Sequence, residues 1–186
     1  MHDKPVPGPM PTSNFQRVPE LRKLKNYENA YNRAFGIVAF ATNRYLIDHM
    51  LRVGRMLTDN DFEAMVIWGV LAHQGIAHLM PPGLLPSSIL SENGRVSNDV
   101  ELARPLLLRD IAEITGIPRE TARRKLAQLA EKKLVHKTAL GWVIVGDRLE
   151  PELRDFTRES VTRLLAVADE ILTALRDADT LSYKIT

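Results

Sequence analysis

The chain of 186 residues contains no cysteine and no apolar run of about 18 residues. The first absence excludes disulfide bonds, a thiolate nucleophile and zinc sites with sulfur ligands. The second excludes a transmembrane helix. The first residues, MHDKPVPGPMPTSNFQ, lack an apolar core of the signal-peptide type. We therefore expect no secretory signal, no membrane contact and a cytoplasmic protein.

The sequence also lacks the motifs of the common enzyme classes. It has no G-x-S-x-G elbow, no G-x-x-x-x-G-K-[ST] phosphate loop and no G-x-G-x-x-G fingerprint. His73 and His78 are five residues apart, a spacing that does not place two ligands on one helix face. We predict no catalytic activity, no metal site and no cofactor.

The net charge of the chain is small, but basic residues are concentrated in one segment. The net charge is +2, and no lysine lies between Lys25 and Lys125. Residues 117–137 carry seven bases and two acids, whereas residues 26–116 and 138–186 each have a net charge of −3. One basic segment in a near-neutral chain indicates a local contact with a polyanion.

Prolines and loop-forming residues divide the chain into five parts. Residues 1–23 are expected to form an extended arm, because five of the eleven prolines lie there. Residues 24–80 form an N-terminal helical region, with one helix over 24–56 and a second whose start is capped by Thr58. Residues 81–104 form a long loop or insertion. Residues 105–148 form a compact unit, and residues 149–186 hold a C-terminal helix over about 151–178.

The two long helices are too apolar to stand alone. The helix over 24–56 has apolar residues on more than one side, and the C-terminal helix has a wide apolar face. Such helices must be covered by a partner. They pack on one another within the chain, or together they form a dimer interface.

Residues 106–145 have the most informative pattern. Leu106 to Leu108 could form a brief strand, and Arg109 to Thr115 predicts a short helix. Gly116 permits the positive φ of a tight turn. A second helix follows over about 118–132, with Ala122, Leu126 and Leu129 on its apolar face and basic residues on the other.

Two short strands are expected after this helix pair. The first follows Lys132-Lys133, Gly141 marks the turn, and Trp142 to Val145 forms the return strand, in which Trp142 is expected to pack rather than bind a ligand. A helix-turn-helix followed by a strand hairpin is the pattern of a winged helix, in which the second helix enters a major groove of DNA.

The segment DIAEITGIPRETARRKLAQLAEKKLV (110–135) resembles the winged helix-turn-helix of bacterial transcription regulators. Within it, PRETARRKLAQL is similar to the recognition helix of MarR-like and CRP-like proteins. The order of elements most resembles the MarR family. The resemblance implies a mainly α fold, a winged helix-turn-helix with long N- and C-terminal dimerisation helices.

A set of polar residues in and after the second helix is predicted to bind DNA. Arg119, Arg123 and Arg124 are expected to read bases, since arginine pairs bidentately with guanine. Lys125 is expected to hold a phosphate. Glu120 could accept from a cytosine amino group, although complementing the helix N-terminus is its simpler role. The full predicted set is Pro118, Arg119, Glu120, Thr121, Arg123, Arg124, Lys125, Gln128 and Lys137.

The expected function is sequence-specific DNA binding by a homodimer that regulates transcription. By resemblance to MarR-like regulators, a small-molecule effector could bind near Tyr31, Phe35 and Trp68. Packing in the core is the expected role of Trp68, and the wall of an effector pocket is its alternative role. A different class of function also stays open, because some winged helices are protein-interaction modules without DNA readout.

Overall fold

A computed structural model of the chain describes residues 18–79, 103–145 and 150–181. The predicted arm over 1–23 and loop over 81–104 therefore lie mostly outside the described residues, as do residues 146–149. Within the described ranges the protein is mainly helical and has one two-stranded antiparallel sheet. The expectation of a mainly α fold is confirmed.

The helices and strands follow the predicted order, with shifted ends. Short 3-10 turns lie at Leu21–Lys23 and Ala77–Leu79. The principal elements are α1 (Tyr27–Thr58), α2 (Phe62–Ile76), α3 (Leu108–Thr115), α4 (Arg119–Glu131), β1 (Val135–Thr138), β2 (Gly141–Ile144) and α5 (Glu150–Leu181). The chain divides into two compact units. The two-helix unit comprises residues 1–49 and 157–186, and the central unit comprises residues 50–156.

The two-helix unit has a small core of mostly alanine side chains. Ala30 and Ala34 of α1 and Leu175 and Ala178 of α5 are buried together. The buried carboxylate of Asp179 accepts hydrogen bonds from the backbone N–H groups of residues 25 and 26, at 3.0 and 3.1 Å. Asp179 thereby satisfies N–H donors just before α1 begins, and it fixes the end of α5 against the start of α1.

The central unit has a larger aliphatic core. Ile67 and Leu71 of α2, Ile111 of α3, and Leu126 and Leu129 of α4 are almost fully buried in one cluster. These residues recur at helical spacing, so each helix turns one apolar stripe toward the others. The core fixes α4 while leaving its opposite face to solvent.

The turn between α1 and α2 differs from the prediction. Thr58 does not cap α2: it is the last residue of α1, and its hydroxyl donates to the carbonyl oxygen of Gly54 at 3.2 Å. Asp61 is the cap, and its Oδ1 accepts from the N–H of Ala64 at 3.1 Å. Between them Asp59 and Asn60 have φ of 52° and 66°. Aspartate and asparagine tolerate this left-handed region, so the turn needs no glycine.

The brief strand predicted over Leu106 to Leu108 is reduced to a single residue. Leu106 forms an isolated bridge with Trp142, with N···O distances of 3.0 and 2.8 Å in the two directions. Leu107 is the N-cap residue of α3, and α3 begins at Leu108. The apolar run is therefore divided between a sheet edge and a helix start.

Candidate nucleic-acid interface

The turn between α3 and α4 is set by a glycine and a threonine. Gly116 has φ of 69° and ψ of 3°, which is left-handed. The hydroxyl of Thr115 donates to the carbonyl oxygen of Ile111 at 2.7 Å and accepts from the N–H of Ile117 at 3.2 Å. The N–H of Ala122 donates to the carbonyl oxygen of Pro118 at 2.9 Å, so Pro118 stands immediately before the first turn of α4.

Helix α4 has one buried face and one exposed face. Ala122, Leu126 and Leu129 are buried in the central core. On the opposite side Glu120, Arg123, Arg124, Ala127 and Gln128 are all exposed. Three of these side chains are charged, so α4 presents a polar and mainly basic surface to solvent.

The strand hairpin is held close to the segment that precedes α3. In β1, Val135 is buried while His136 and Lys137 are exposed. Trp142 of β2 is half-buried and packs against the central core, which matches its predicted role in packing. Gly141 has φ of 146°, and a Cβ atom there would lie 2.6 Å from the backbone oxygen of Leu106. This close approach leaves room only for glycine.

A groove with four cationic side chains lies between α3, α4 and the hairpin. It has a volume of about 570 Å³, and we call it the basic groove. Arg109 comes from the start of α3, Arg119 and Arg123 from the start of α4, and Lys137 from β1. Trp142, Leu107 and Leu108 supply apolar wall. Four positive charges around one concave surface favour an anionic ligand that extends across all three elements.

Arg123 forms a two-point ion pair with Glu120. Its Nε lies 2.9 and 3.1 Å from the two carboxylate oxygens, and its Nη2 lies 2.5 Å from Oε1. These hydrogen bonds, with the charges of Arg123 and Arg124, hold the pKa of Glu120 below its ordinary value. Glu120 is therefore ionised at neutral pH, and its carboxylate is the partner of the Arg123 guanidinium.

Lys125 is engaged inside the protein. Its ammonium lies 2.6 Å from Oδ2 of Asp61 and 3.5 Å from Oε2 of Glu63, and only 12% of its side chain is exposed. Lys132 makes a similar contact with Asp59, at 2.6 Å. These ion pairs join α4 to the turn that precedes α2. Lys125 thus has a structural partner, and we leave it out of the proposed interface.

The other predicted DNA-binding residues do not all line the same surface. Arg119, Arg123 and Lys137 line the basic groove. Gln128 instead lines a separate pocket on the side of Thr58, Asp61 and Lys132. Pro118 and Arg124 are exposed, and Thr121 is half-buried. The predicted set is therefore only partly brought together.

Arg109 was not among the predicted site residues, although it lines the basic groove. It is the second residue of α3, and its Nε lies 3.0 Å from Oδ1 of Asp110. The sequence offers only a weak signal for it: a base in the first turn of the helix that precedes α4. Its proximity to Arg119 depends on how the turn at Gly116 folds.

The residues predicted for an effector site belong to different units. Tyr31 and Phe35 lie in the two-helix unit, where their ring centroids are 6.0 Å apart in an edge-to-face arrangement. Trp68 lies in the central unit and packs against its core. Core packing of Trp68 is thus the better-supported role, and the effector site stays a prediction.

The described residues contain neither a metal-binding cluster nor a membrane-spanning helix. No group of three or more histidine, aspartate or glutamate side chains in these ranges is arranged to hold a metal ion. No helix in these ranges combines the length and the apolar character needed to cross a membrane.

Comparisons of the chain with protein-family models, with curated proteins and with solved structures find no match. The geometry and charge of the basic groove and of α4 are therefore the basis on which a function is proposed.

Proposed function

We propose that the protein is a sequence-specific DNA-binding regulator of transcription whose central unit is a winged helix-turn-helix. Helices α3 and α4, joined by a left-handed glycine and followed directly by an antiparallel hairpin, support this fold. In such proteins the second helix enters the major groove and the hairpin lies beside it. Helix α4 takes the place of the recognition helix, and β1 and β2 form the wing.

The observation that carries this proposal is the basic groove. Its four cations come from the three elements that a winged helix turns toward DNA. Arg109 of α3 and Lys137 of β1 would hold phosphates. Arg119 and Arg123, at the start of α4, would reach base edges, where arginine recognises guanine O6 and N7. Arg124 is exposed one residue further along α4 and would contact bases or a phosphate.

We also propose that the protein acts as a homodimer through its two-helix unit. Phe40 and Ile47 on α1 and Leu165 on α5 are 65%, 60% and 63% exposed, although all three are large and apolar. The core of this unit is small, so it gains little from its own packing. A second copy would cover apolar side chains of both helices, and a dimer would double the number of DNA contacts.

A selection experiment tests the proposed function. The full chain is incubated with a pool of random DNA duplexes, and bound duplexes are sequenced over several rounds. A homodimeric reader enriches a pseudo-palindromic site whose halves are separated by about one helical turn, roughly 10 base pairs. Failure to enrich any sequence, with the protein folded, would contradict sequence-specific binding.

A protein-interaction module is the second candidate. Leu140, at the tip of the hairpin, is 73% exposed, and it carries no charge that would attract a phosphate. Leu107 and Ile114 in the same unit are also exposed. An apolar tip fits a protein partner better than a DNA backbone. Capture of a defined protein partner by the wild type, abolished by Leu140→Asp, would favour this candidate.

A further inference from the structure

We propose that Glu120 determines specificity: it holds Arg123 away from phosphates and thereby weakens binding to DNA that offers no matching base pair. This inference rests on the proposed DNA-binding function. Glu120 acts through Arg123 and is in that respect a positioning residue. It is also a candidate for direct contact with a base.

The geometry gives Glu120 control over Arg123. The carboxylate accepts three hydrogen bonds from the guanidinium, which occupy Nε and Nη2, one edge of the arginine fork. That edge is one of the two with which arginine can pair bidentately with a carboxylate, a phosphate or a guanine. Any DNA ligand of Arg123 must therefore replace Glu120 or bind at the remaining edge.

The ion pair is easily exchanged while it is in water. Both side chains are well exposed, 62% for Arg123 and 78% for Glu120, and exposed ion pairs contribute little to stability. In contact with DNA the exchange of this ion pair has a larger energetic cost, because water is removed and phosphates surround the two side chains. A carboxylate whose Arg123 partner has moved to a phosphate is then repelled by neighbouring phosphates.

A G·C pair at the site removes this penalty. Guanine offers O6 and N7 to Arg123, and cytosine offers its N4 amino group to a carboxylate. Arg123 and Glu120 lie three residues apart on the same exposed side of α4. Both can therefore exchange their mutual contact for base contacts. Discrimination then comes from the cost that Glu120 imposes on all other sequences.

The test compares Glu120→Gln with Glu131→Gln. Each substitution removes one negative charge from an exposed position of α4, but Glu131 lies at the opposite end of the helix from the basic groove. Binding of the full-length variants is measured on the enriched duplex and on a scrambled duplex of equal length. We expect Glu120→Gln to tighten binding to the scrambled duplex and to lower the ratio of the two affinities by about fivefold to tenfold.

A double-mutant cycle identifies the route of the effect. In an Arg123→Ala background, Glu120→Gln should change the affinity ratio less, because the part of its effect that acts through the guanidinium is gone and only the direct effect of the carboxylate on DNA remains. If Glu120 served only to complement the N-terminus of α4, its removal would lower thermal stability and leave the ratio unchanged.

Two results overturn the proposal, and they are distinguishable. If wild type discriminates between the duplexes and Glu120→Gln behaves as Glu131→Gln does, the assignment of Glu120 is wrong and the proposed function stands. If wild type binds both duplexes equally or not at all, the proposed function fails, and the role of Glu120 fails with it.

Discussion

At the scale of single residues, charge alone is a poor guide to which side chains face a ligand. Lys125 lies within the most basic segment of the chain, yet its ammonium contacts Asp61 and Glu63 of the central unit. Arg109 lies outside that segment and lines the basic groove. The sequence predicts which residues are charged, but the partner of each depends on contacts between distant segments.

Replacing Asp61 by asparagine tests the structural role assigned to Lys125. Asparagine retains an N-cap oxygen for Ala64 but cannot form the ion pair, so we expect a decrease of about 0.5–1 kcal/mol in the free energy of unfolding at pH 7. Urea unfolding measures the change. Asp61→Ala, which also removes the cap, should cost about 1 kcal/mol more. Equal stability of wild type and both variants would contradict the role.

The difference in stability between wild type and Asp61→Asn is predicted to depend on pH. Partial burial raises the pKa of Asp61, but hydrogen bonds from Lys125 and from the Ala64 N–H, and nearby positive charges, outweigh it and lower the pKa overall. A lowered pKa gives stability that is present above the ordinary value of 3.8 and is lost as pH falls through the folded pKa. The difference between wild type and Asp61→Asn should therefore shrink below about pH 4.

At the scale of elements, the order of the helices and the hairpin is predictable from the sequence, but the turn between α1 and α2 is not. Apolar spacing and Gly116 placed α3 and α4 almost at their observed bounds. The sequence predicts Thr58 as the cap because threonine commonly caps helices, but Asp61 performs that function. The two intervening residues adopt left-handed φ without glycine. Local propensity does not show that Thr58 is buried in the last turn of α1 and therefore does not cap α2.

The docking of the hairpin depends on Gly141. Gly141→Ala would place a Cβ atom 2.6 Å from the Leu106 oxygen, so we expect a decrease of about 1–3 kcal/mol in the free energy of unfolding and a lower melting temperature. Gly69→Ala is the matched control, because among the described residues no atom beyond its chain neighbours and the backbone of α2 lies within 4 Å of a Cβ there. In the middle of α2 that change should stabilise the protein by about 0.5–1 kcal/mol. An unaffected Gly141→Ala variant would contradict the close approach.

At the scale of the whole molecule, the sequence predicted that the long helices need a partner but not which one. Their apolar residues recur on more than one side, and α1 and α5 do bury part of them together. Large side chains of both helices nevertheless remain exposed. The periodicity of the sequence shows which faces of the two helices are apolar. It does not show what covers them, because the covering surface belongs to another helix or another molecule.

Charged substitutions on the two-helix unit test the homodimer. Phe40→Asp combined with Ile47→Asp should yield a folded monomer, because a buried carboxylate on each side of a symmetric interface is costly. Light scattering after size exclusion measures the mass. Thr173→Asp, at an exposed polar position of α5, should leave the dimer intact. A wild-type mass of one chain, about 21.0 kDa, would show that no dimer forms.

The most direct test of the central claim is the salt dependence of DNA binding by wild type and by a variant with Arg109→Ala and Lys137→Ala. If the basic groove holds phosphates, the slope of log K against log salt becomes shallower by about 0.9 for each phosphate that the variant no longer binds, and affinity falls. A variant with Arg55→Ala and Arg176→Ala, which removes two exposed bases outside the groove, should retain the wild-type slope. Equal slopes for wild type and both variants would contradict DNA binding through the basic groove.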